Sequence, residues 1–200
     1  MKEVNAVIFD LGGVLLNLDL SHSKTKMDVL GLPDGLAYGN IFEQYQLGNI
    51  STDRFFSYLQ SLCDKGTERQ EIIDAWNSCL SDMPEYKLQY VLQLRKRGIK
   101  TYLLSNTNEA HWNHIRTNIF PRPAEDYFDA IYLSQELHLA KPDKAIYEAV
   151  LSHIGLQADE CLFLDDTEEN IEAASSLGIR TYRTPVRYDW RNDVSGIICC

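Results

Sequence analysis

An apolar run at residues 6–9 stops on Asp10 and is followed at once by Leu11-Gly12-Gly13-Val14-Leu15. A short apolar run closed by a turn signal marks a strand buried on both faces of a parallel sheet. Comparable runs occupy 99–104 before Ser105-Asn106, 130–133 before Ser134, and 161–164 before Asp165-Asp166, with a shorter one at 179–182. Between them the spacing of apolar residues becomes helical. The helical stretches 86–97, 143–154 and 168–177 stop at Gly98, Gly155 and Gly178, residues of the kind that end helices. This alternation predicts an α/β fold with a Rossmann-like parallel sheet and right-handed crossovers. Residues 17–84 interrupt it. They lack strand patterns and carry amphipathic ones, at Ile41, Phe42, Tyr45 and at Phe55, Phe56, Tyr58, Leu59, Leu62, with a loop at 49–53 leading into a helix cap. The expectation is a core domain formed by 1–16 and 85–200 with a small α-helical domain inserted at 17–84. The connections fall near 15–19 and 81–85, where Ser81-Asp82-Met83-Pro84 breaks the helical pattern.

Composition narrows the class. Two hundred residues suit one medium domain or a core with a small insertion, and roughly 70% of the unfolded surface is buried at this size without staples. The 44% hydrophobic and 24% charged content is that of a soluble globular chain. A formal charge of −10 opposes binding to nucleic acid or an anionic membrane, but a phosphorylated ligand needs only local positive charge. Five cysteines, Cys63, Cys79, Cys161, Cys199 and Cys200, have no CxxC spacing and read as reduced thiols. The terminal pair does not fit the prenylation motif. Met1-Lys2-Glu3-Val4 leads straight into the first strand, so no signal peptide is expected, and no apolar run approaches the ~20 residues of a membrane span. A cytoplasmic protein is expected, a monomer with a dimer as the alternative.

Four polar signals close strands or open helices: Asp10, Ser105, Lys141 and Asp165-Asp166. Parallel strands bring their carboxyl ends to one rim, where such groups converge although distant in sequence. Each has a plain explanation when taken alone. A strand-end Asp or Ser caps a helix, and Lys141 before Pro142 is a solvated loop charge. Capping accounts for one carboxylate at the helix that begins near Glu168, but not for two followed by Glu168-Glu169, whose repulsion asks for a cation.

In this order the motifs resemble the haloacid dehalogenase superfamily of Mg-dependent phosphohydrolases, over nearly the whole chain. Phe9-Asp10-Leu11-Gly12-Gly13-Val14-Leu15 resembles the first motif and Leu104-Ser105-Asn106 the second. Lys141-Pro142-Asp143-Lys144-Ala145-Ile146-Tyr147 resembles the third, and Phe163-Leu164-Asp165-Asp166-Thr167-Glu168-Glu169-Asn170 the fourth. The segment 17–84 is similar to the helical cap of many members. Leu103-Leu104-Ser105-Asn106-Thr107-Asn108 and Tyr132-Leu133-Ser134-Gln135-Glu136-Leu137 resemble the branch containing bacterial α-glucose-1-phosphate phosphatases.

The resemblance implies that Asp10 attacks phosphorus and forms an aspartyl-phosphate. It implies Mg²⁺ held by Asp10, the main-chain carbonyl of Gly12 and Asp166, with Asp165 acting through water and Asn170 positioning Asp166 or a water. Ser105 and the amide of Asn106 would hold phosphate oxygens, and Lys141 would neutralise charge on the phosphoryl group. The implied substrate is a small phosphorylated metabolite, a sugar phosphate such as a hexose 1-phosphate, selected by the cap. One position departs from the family pattern. Most of these phosphatases carry a second Asp two residues after the nucleophile, for proton transfer, and here that residue is Gly12. Three accounts follow: a substitute such as Asp19 or His22, a substrate with a better leaving group (an anomeric or acyl phosphate), or a weak phosphatase that mainly binds. A metal-independent 2-haloacid dehalogenase and a catalytically reduced regulatory member are the alternatives. Among other candidates, Tyr38, Phe42, Tyr45, Phe55, Phe56 and Tyr58 read as the small core of the cap. His111 and His114 read as neighbours on a solvated helix rather than a metal pair.

Overall fold

The computed structural model describes residues 3–32 and 40–198. Strand β1 (Ala6–Phe9) is followed by helices α1 (Leu20–Val29), α2 (Asn40–Gln46), α3 (Thr52–Leu62), α4 (Arg69–Asn77) and α5 (Glu85–Lys96). Then come β2 (Lys100–Ser105), α6 (Glu109–His114), β3 (Ala130–Leu133), α7 (Ser134–Leu137) and α8 (Lys144–Ile154). The chain ends with β4 (Cys161–Asp165), α9 (Glu168–Ser176), β5 (Arg180–Arg183) and α10 (Arg191–Ile198). The strands form one parallel sheet in the order β3-β2-β1-β4-β5. The chain lays down β2 and β3 on one side of β1, then returns to lay down β4 and β5 on the other. Open α/β sheets bind ligands at the carboxyl ends of the strands where this reversal occurs.

The strands lie where their apolar runs predict, within one residue at each end. They run apolar because both faces are covered. Val7, Phe9, Leu103, Leu162 and Leu164 point into one cluster with Leu88, Val91 and Leu94 of α5, Trp190, and Val194 and Ile198 of α10. The alternate positions Ala6, Ile8, Tyr102, Leu104, Cys161 and Phe163 point to the other face, against Ile146, Tyr147 and Val150 of α8 and Ala174 of α9. Helix α10 has no counterpart among the sequence expectations, yet Trp190 just before it is fully buried, 5.7 Å from the Phe9 ring centroid. No helix among the described residues is long and apolar enough to cross a membrane.

Helices α1–α4 gather round a third cluster that contains Leu32, Tyr45, Phe55, Phe56, Leu59, Ile72 and Trp76. Tyr45 and Phe55 stack with centroids 4.2 Å apart, so these aromatics form a core, as expected, while Tyr58 is exposed. Tyr38 lies outside the described residues. The two connections to the sheet run antiparallel side by side. Leu18 bridges to Leu80, flanked by Asn17 N–H to Asp82 O (2.9 Å), Ser81 N–H to Asn17 O (3.0 Å) and Asp19 N–H to Cys79 O (2.8 Å). A second contact seats α2 against the sheet. Ser134 Oγ, fully buried, accepts from Thr107 N–H at 3.0 Å and lies 2.8 Å from Gln46 O. Beside it Gly48 adopts φ +67°, and a Cβ there would fall 2.1 Å from Gln135 O, so only glycine admits this approach.

Candidate active site

The parallel register brings the predicted residues together. Asp10 N–H donates to Leu164 O at 2.9 Å, extending the β1–β4 ladder by one residue and setting Asp10 beside Asp165 at the rim. Lys141, on the segment between α7 and α8, reaches the same point with its side chain 1% exposed. Its Nζ donates to Asp10 Oδ1 at 2.7 Å, Asp165 Oδ2 at 2.7 Å and Leu104 O at 3.1 Å. An ammonium has three donors, and all three are used.

Asp165 is fully buried and saturated. Besides Lys141 it accepts from Thr167 N–H at 2.9 Å and from Asn170 Nδ2, 3.0 and 3.1 Å from its two oxygens. Asn170 therefore holds Asp165 rather than Asp166, contrary to one sequence expectation. Asn170 lies in the first turn of α9. Which of two adjacent carboxylates it meets depends on how the strand exits, and the strand buries the first. Asp166 is half-buried and lines the cavity. The side chain of Asn106 braces Lys141 from both sides: Lys141 N–H donates to Asn106 Oδ1 at 2.9 Å and Asn106 Nδ2 to Lys141 O at 2.8 Å. Ser105 is buried at the same rim but does not line the cavity.

That cavity, about 440 Å³, is lined by Asp10, Gly12, Leu18, Asn106, Lys141, Pro142, Asp166, Thr167, Glu169 and Asn170. Asp19 and His22 are absent from its lining. The Asp19 carboxylate instead caps α1, accepting from His22 N–H at 3.0 Å and Ser21 Oγ at 2.6 Å. Leu18 and Glu169 were not anticipated as cavity residues. Leu18 meets Gly12 across a chain reversal, and Glu169 reads equally well as an acid at a helix N-terminus.

The loop after Asp10 is tightly held. Gly13 N–H donates to Leu16 O at 2.8 Å, and Leu16 N–H returns to Leu11 O at 2.7 Å. The buried Lys87 Nζ and Trp190 Nε1 both donate to Val14 O, at 2.5 and 3.2 Å. Gly13 has φ +76°, and a Cβ there would lie 2.3 Å from Asp166 Oδ2. A side chain at 13 would fill the space that Asp166 uses.

Burial pushes the Asp10 carboxyl up to about 7, and the Asp165 charge adds to this while Lys141 opposes it. Burial alone would depress Lys141, but Asp10 and Asp165 outweigh it and hold the ammonium above its ordinary value. Burial, then Asp165, raises Asp166. Asp10, Asp165 and Asp166 each offer an oxygen within 4.8 Å of the others, and among the described residues Lys141 is the cation paired with them. Three carboxylates against one ammonium leave an excess of two negative charges. A hard oxygen donor set with that charge fits a divalent cation such as Mg²⁺.

The loop after β2 is tied to α4 by His111 and Asn108. His111 is stacked on Trp76, centroids 5.1 Å apart, with Nε2 donating to Trp76 O at 3.2 Å and Nδ1 accepting from Asn108 Nδ2 at 3.2 Å. This corrects the reading of His111 as a solvated neighbour of His114: α4 packs over that face of α6. Burial pushes His111 down to about 4. Its pKa in the folded chain lies below the unfolded value of about 6.5, so its share of stability is present above that value and is lost as pH falls toward 4. At pH 5 this amounts to ~2 kcal/mol relative to pH 8. The difference between wild-type and His111→Phe urea midpoints at pH 8 and pH 5 checks this, because the raised Asp10 carboxyl adds stability over the same interval in both proteins. His111→Phe is expected to remove most of that loss, and an unchanged pH dependence in the variant would refute it.

Comparison with known proteins agrees with this geometry. The model of the haloacid dehalogenase-like hydrolases matches residues 4–178. A D-ribitol-5-phosphate phosphatase of Bacteroides thetaiotaomicron is 30% identical over 204 residues, covering 98% of each chain. The crystal structure of a haloacid dehalogenase family enzyme from the same organism, a magnesium complex, superimposes with a TM-score of 0.92 at 37% identity, covering 96% of this chain and 99% of that one. The wild-type form of that enzyme with magnesium and inorganic phosphate gives a TM-score of 0.88 at 38% identity, over 94% and 97% of the two chains. A parallel sheet with its acidic groups at one rim, a family match over most of the length and relatives that are phosphatases lead to one conclusion: the chain belongs to the haloacid dehalogenase-like hydrolases and is a phosphatase of that family.

Proposed function

We propose that the chain is a Mg²⁺-dependent phosphohydrolase that forms an aspartyl-phosphate on Asp10 and acts on a small phosphorylated metabolite. The observation that carries this reading is Lys141, which pairs at 2.7 Å with both Asp10 and Asp165 at the cavity floor. Asp10 presents an anion at the open side of that pair, where phosphorus would arrive. Lys141 neutralises negative charge on the phosphoryl oxygens and keeps Asp10 oriented. The Asn106 backbone amide serves the phosphate and the Asn106 side chain holds the Lys141 backbone in register, while Ser105 stays buried at the rim outside the cavity lining. Asp10, the Gly12 carbonyl and Asp166 would hold Mg²⁺. Asp165, saturated by Lys141, Thr167 and Asn170, acts on the ion only at one remove. Bound there, the ion would offset the repulsion between phosphate and carboxylate.

Residues 17–84 serve as the cap in this reading and supply the contacts that select the rest of the substrate. A sugar phosphate such as a hexose 1-phosphate is the first candidate. The substrate named for the relative, ribitol 5-phosphate, makes pentitol phosphates the second. The test is phosphate release from a panel of sugar, pentitol, nucleoside and acyl phosphates with Mg²⁺, with chelator, and with Mg²⁺ restored. We expect activity on sugar or pentitol phosphates, lost in chelator and regained with Mg²⁺. Halide release from a 2-haloacid in the presence of chelator would point instead to a metal-independent dehalogenase.

A further inference from the structure

Lys87 is a buried cation with no part in the chemistry at the rim. It lies in the first turn of α5, is 1% exposed, and donates from Nζ to Val14 O at 2.5 Å. The ion pairs formed among the described residues do not include it. Burial pushes the ammonium below its ordinary value, and Asp82 and Asp189 oppose this without pairing with it. Taking a cation out of water is costly, and one hydrogen bond to a neutral carbonyl does not offset that. Nor is Val14 O short of a partner, because Trp190 Nε1 donates to it at 3.2 Å. Folding alone therefore does not account for the ammonium. What it grips is the turn after Asp10. Gly13 N–H donates to Leu16 O at 2.8 Å, which fixes the Gly12–Gly13 peptide plane and so the direction of the Gly12 carbonyl. The Val14–Leu15 peptide is fixed at both ends: Leu15 N–H donates to Leu11 O at 3.0 Å, and its oxygen is the one held by Lys87 and Trp190. The same turn closes on Asp166, since a Cβ at Gly13 would fall 2.3 Å from Asp166 Oδ2. A shift of the turn changes the gap between Gly12 and Asp166.

We infer that Lys87 is a positioning residue for the metal site: with Trp190 it clamps Val14 O from two elements and so holds the Gly12 carbonyl in register with Asp10 and Asp166. This rests on the reading of those three residues as the Mg²⁺ ligands. With Trp190 as sole donor the Val14–Leu15 peptide can swing about one bond, and a second donor arriving from α5 removes that freedom. The charge makes this second bond the stronger one. Mg²⁺ is the ion for which such rigidity matters, because it demands near-ideal octahedral geometry with oxygens at ~2.0–2.1 Å. Groups that orient a metal ligand from behind typically account for ~10–100-fold in metal affinity. Lys87 thus trades stability for a fixed turn.

The experiment is thermal melting of wild-type and Lys87→Met protein across a titration with Mg²⁺ alone, without substrate. An ion that binds only the folded state raises the melting temperature with its concentration, so one titration reads both intrinsic stability and Mg²⁺ affinity. Methionine follows the apolar stem of the lysine and drops the ammonium. Without Mg²⁺ the variant is expected to melt at or above the wild-type temperature, because a poorly compensated buried cation is gone. Its Kd for Mg²⁺ is expected to rise by ~10–100-fold. Phosphate release by the variant should recover as Mg²⁺ is raised, with the substrate KM at saturating Mg²⁺ unchanged. A structural role predicts the opposite pair of results, a lower melting temperature and an unaltered affinity for the ion. Equal Mg²⁺ affinity in the two proteins overturns the inference. So does a variant that melts below wild type in the absence of Mg²⁺ or fails to fold, since the ammonium would then be needed for folding. Wild-type protein that shows no Mg²⁺-dependent rise overturns the reading of the metal ligands itself. A wild-type rise matched by Lys87→Met overturns only the role of Lys87.

Discussion

Asp10→Asn is expected to reduce Mg²⁺-dependent phosphate release by ~10⁴-fold or more, in a protein that stays folded. The substitution keeps the shape of the side chain and leaves an oxygen for Lys141 Nζ, which now sits 2.7 Å from Asp10 Oδ1. It removes the anion that would attack phosphorus. Folding does not depend on that anion. Burial already disfavours the charge, to the point of pushing the carboxyl up to about 7, so a neutral group fits the rim at least as well. Lys141 keeps Asp165 as a charged partner. Phosphate release and thermal melting measured on the same preparation check both halves. Wild-type activity in the variant would remove Asp10 from the mechanism, and an unfolded variant would make the carboxylate structural.

Lys141→Met is expected to cost both activity and stability, for separable reasons. The ammonium is buried between Asp10 and Asp165, and the latter has no route to solvent. Removing one partner of a buried ion pair costs ~3–5 kcal/mol, because the remaining charge is left uncompensated. For a chain of this size each 1 kcal/mol shifts the melting temperature by roughly 2–4 °C, so a fall of ~6–20 °C is expected. Activity should fall by ~10²–10³-fold through loss of charge stabilisation on the phosphoryl group. Adding Asp165→Asn removes the orphaned charge, so the double variant should recover much of the melting temperature and none of the activity. Thermal melting and phosphate release on the two variants separate the roles. A Lys141→Met protein as stable as wild type would mean that Asp165 finds its compensation elsewhere, and a double variant that regains activity would deny Lys141 a part in the chemistry.

The fold was legible in the chain because each signal was local and repeated. Apolar runs ending in polar residues marked β1, β2, β3 and β4, and glycines marked the ends of α5, α8 and α9. The rim followed, because parallel strands leave no choice about which ends meet. Asp10, Asn106 and Asp166 stand together for that reason, and Lys141 reaches them from the segment between α7 and α8. Other features carried no such signal. Helix α10 is only eight residues long, and Trp190 beside it gains meaning only from Phe9 and Tyr90, which pack on it from other elements. The His111 ring belongs to an exposed-looking sequence, yet α4 comes from 34 or more residues away to cover it.

By itself, then, the sequence determined the α/β class and the residues that close the strands at the sheet rim, since hydrophobic periodicity and turn signals depend only on neighbours along the chain. Only the tertiary structure decided that Asn170 serves Asp165, that Asn106 braces Lys141 and that Leu18 stands over Gly12. Those contacts arise where distant segments cross, and no spacing along a chain records the direction from which a side chain on another segment will arrive.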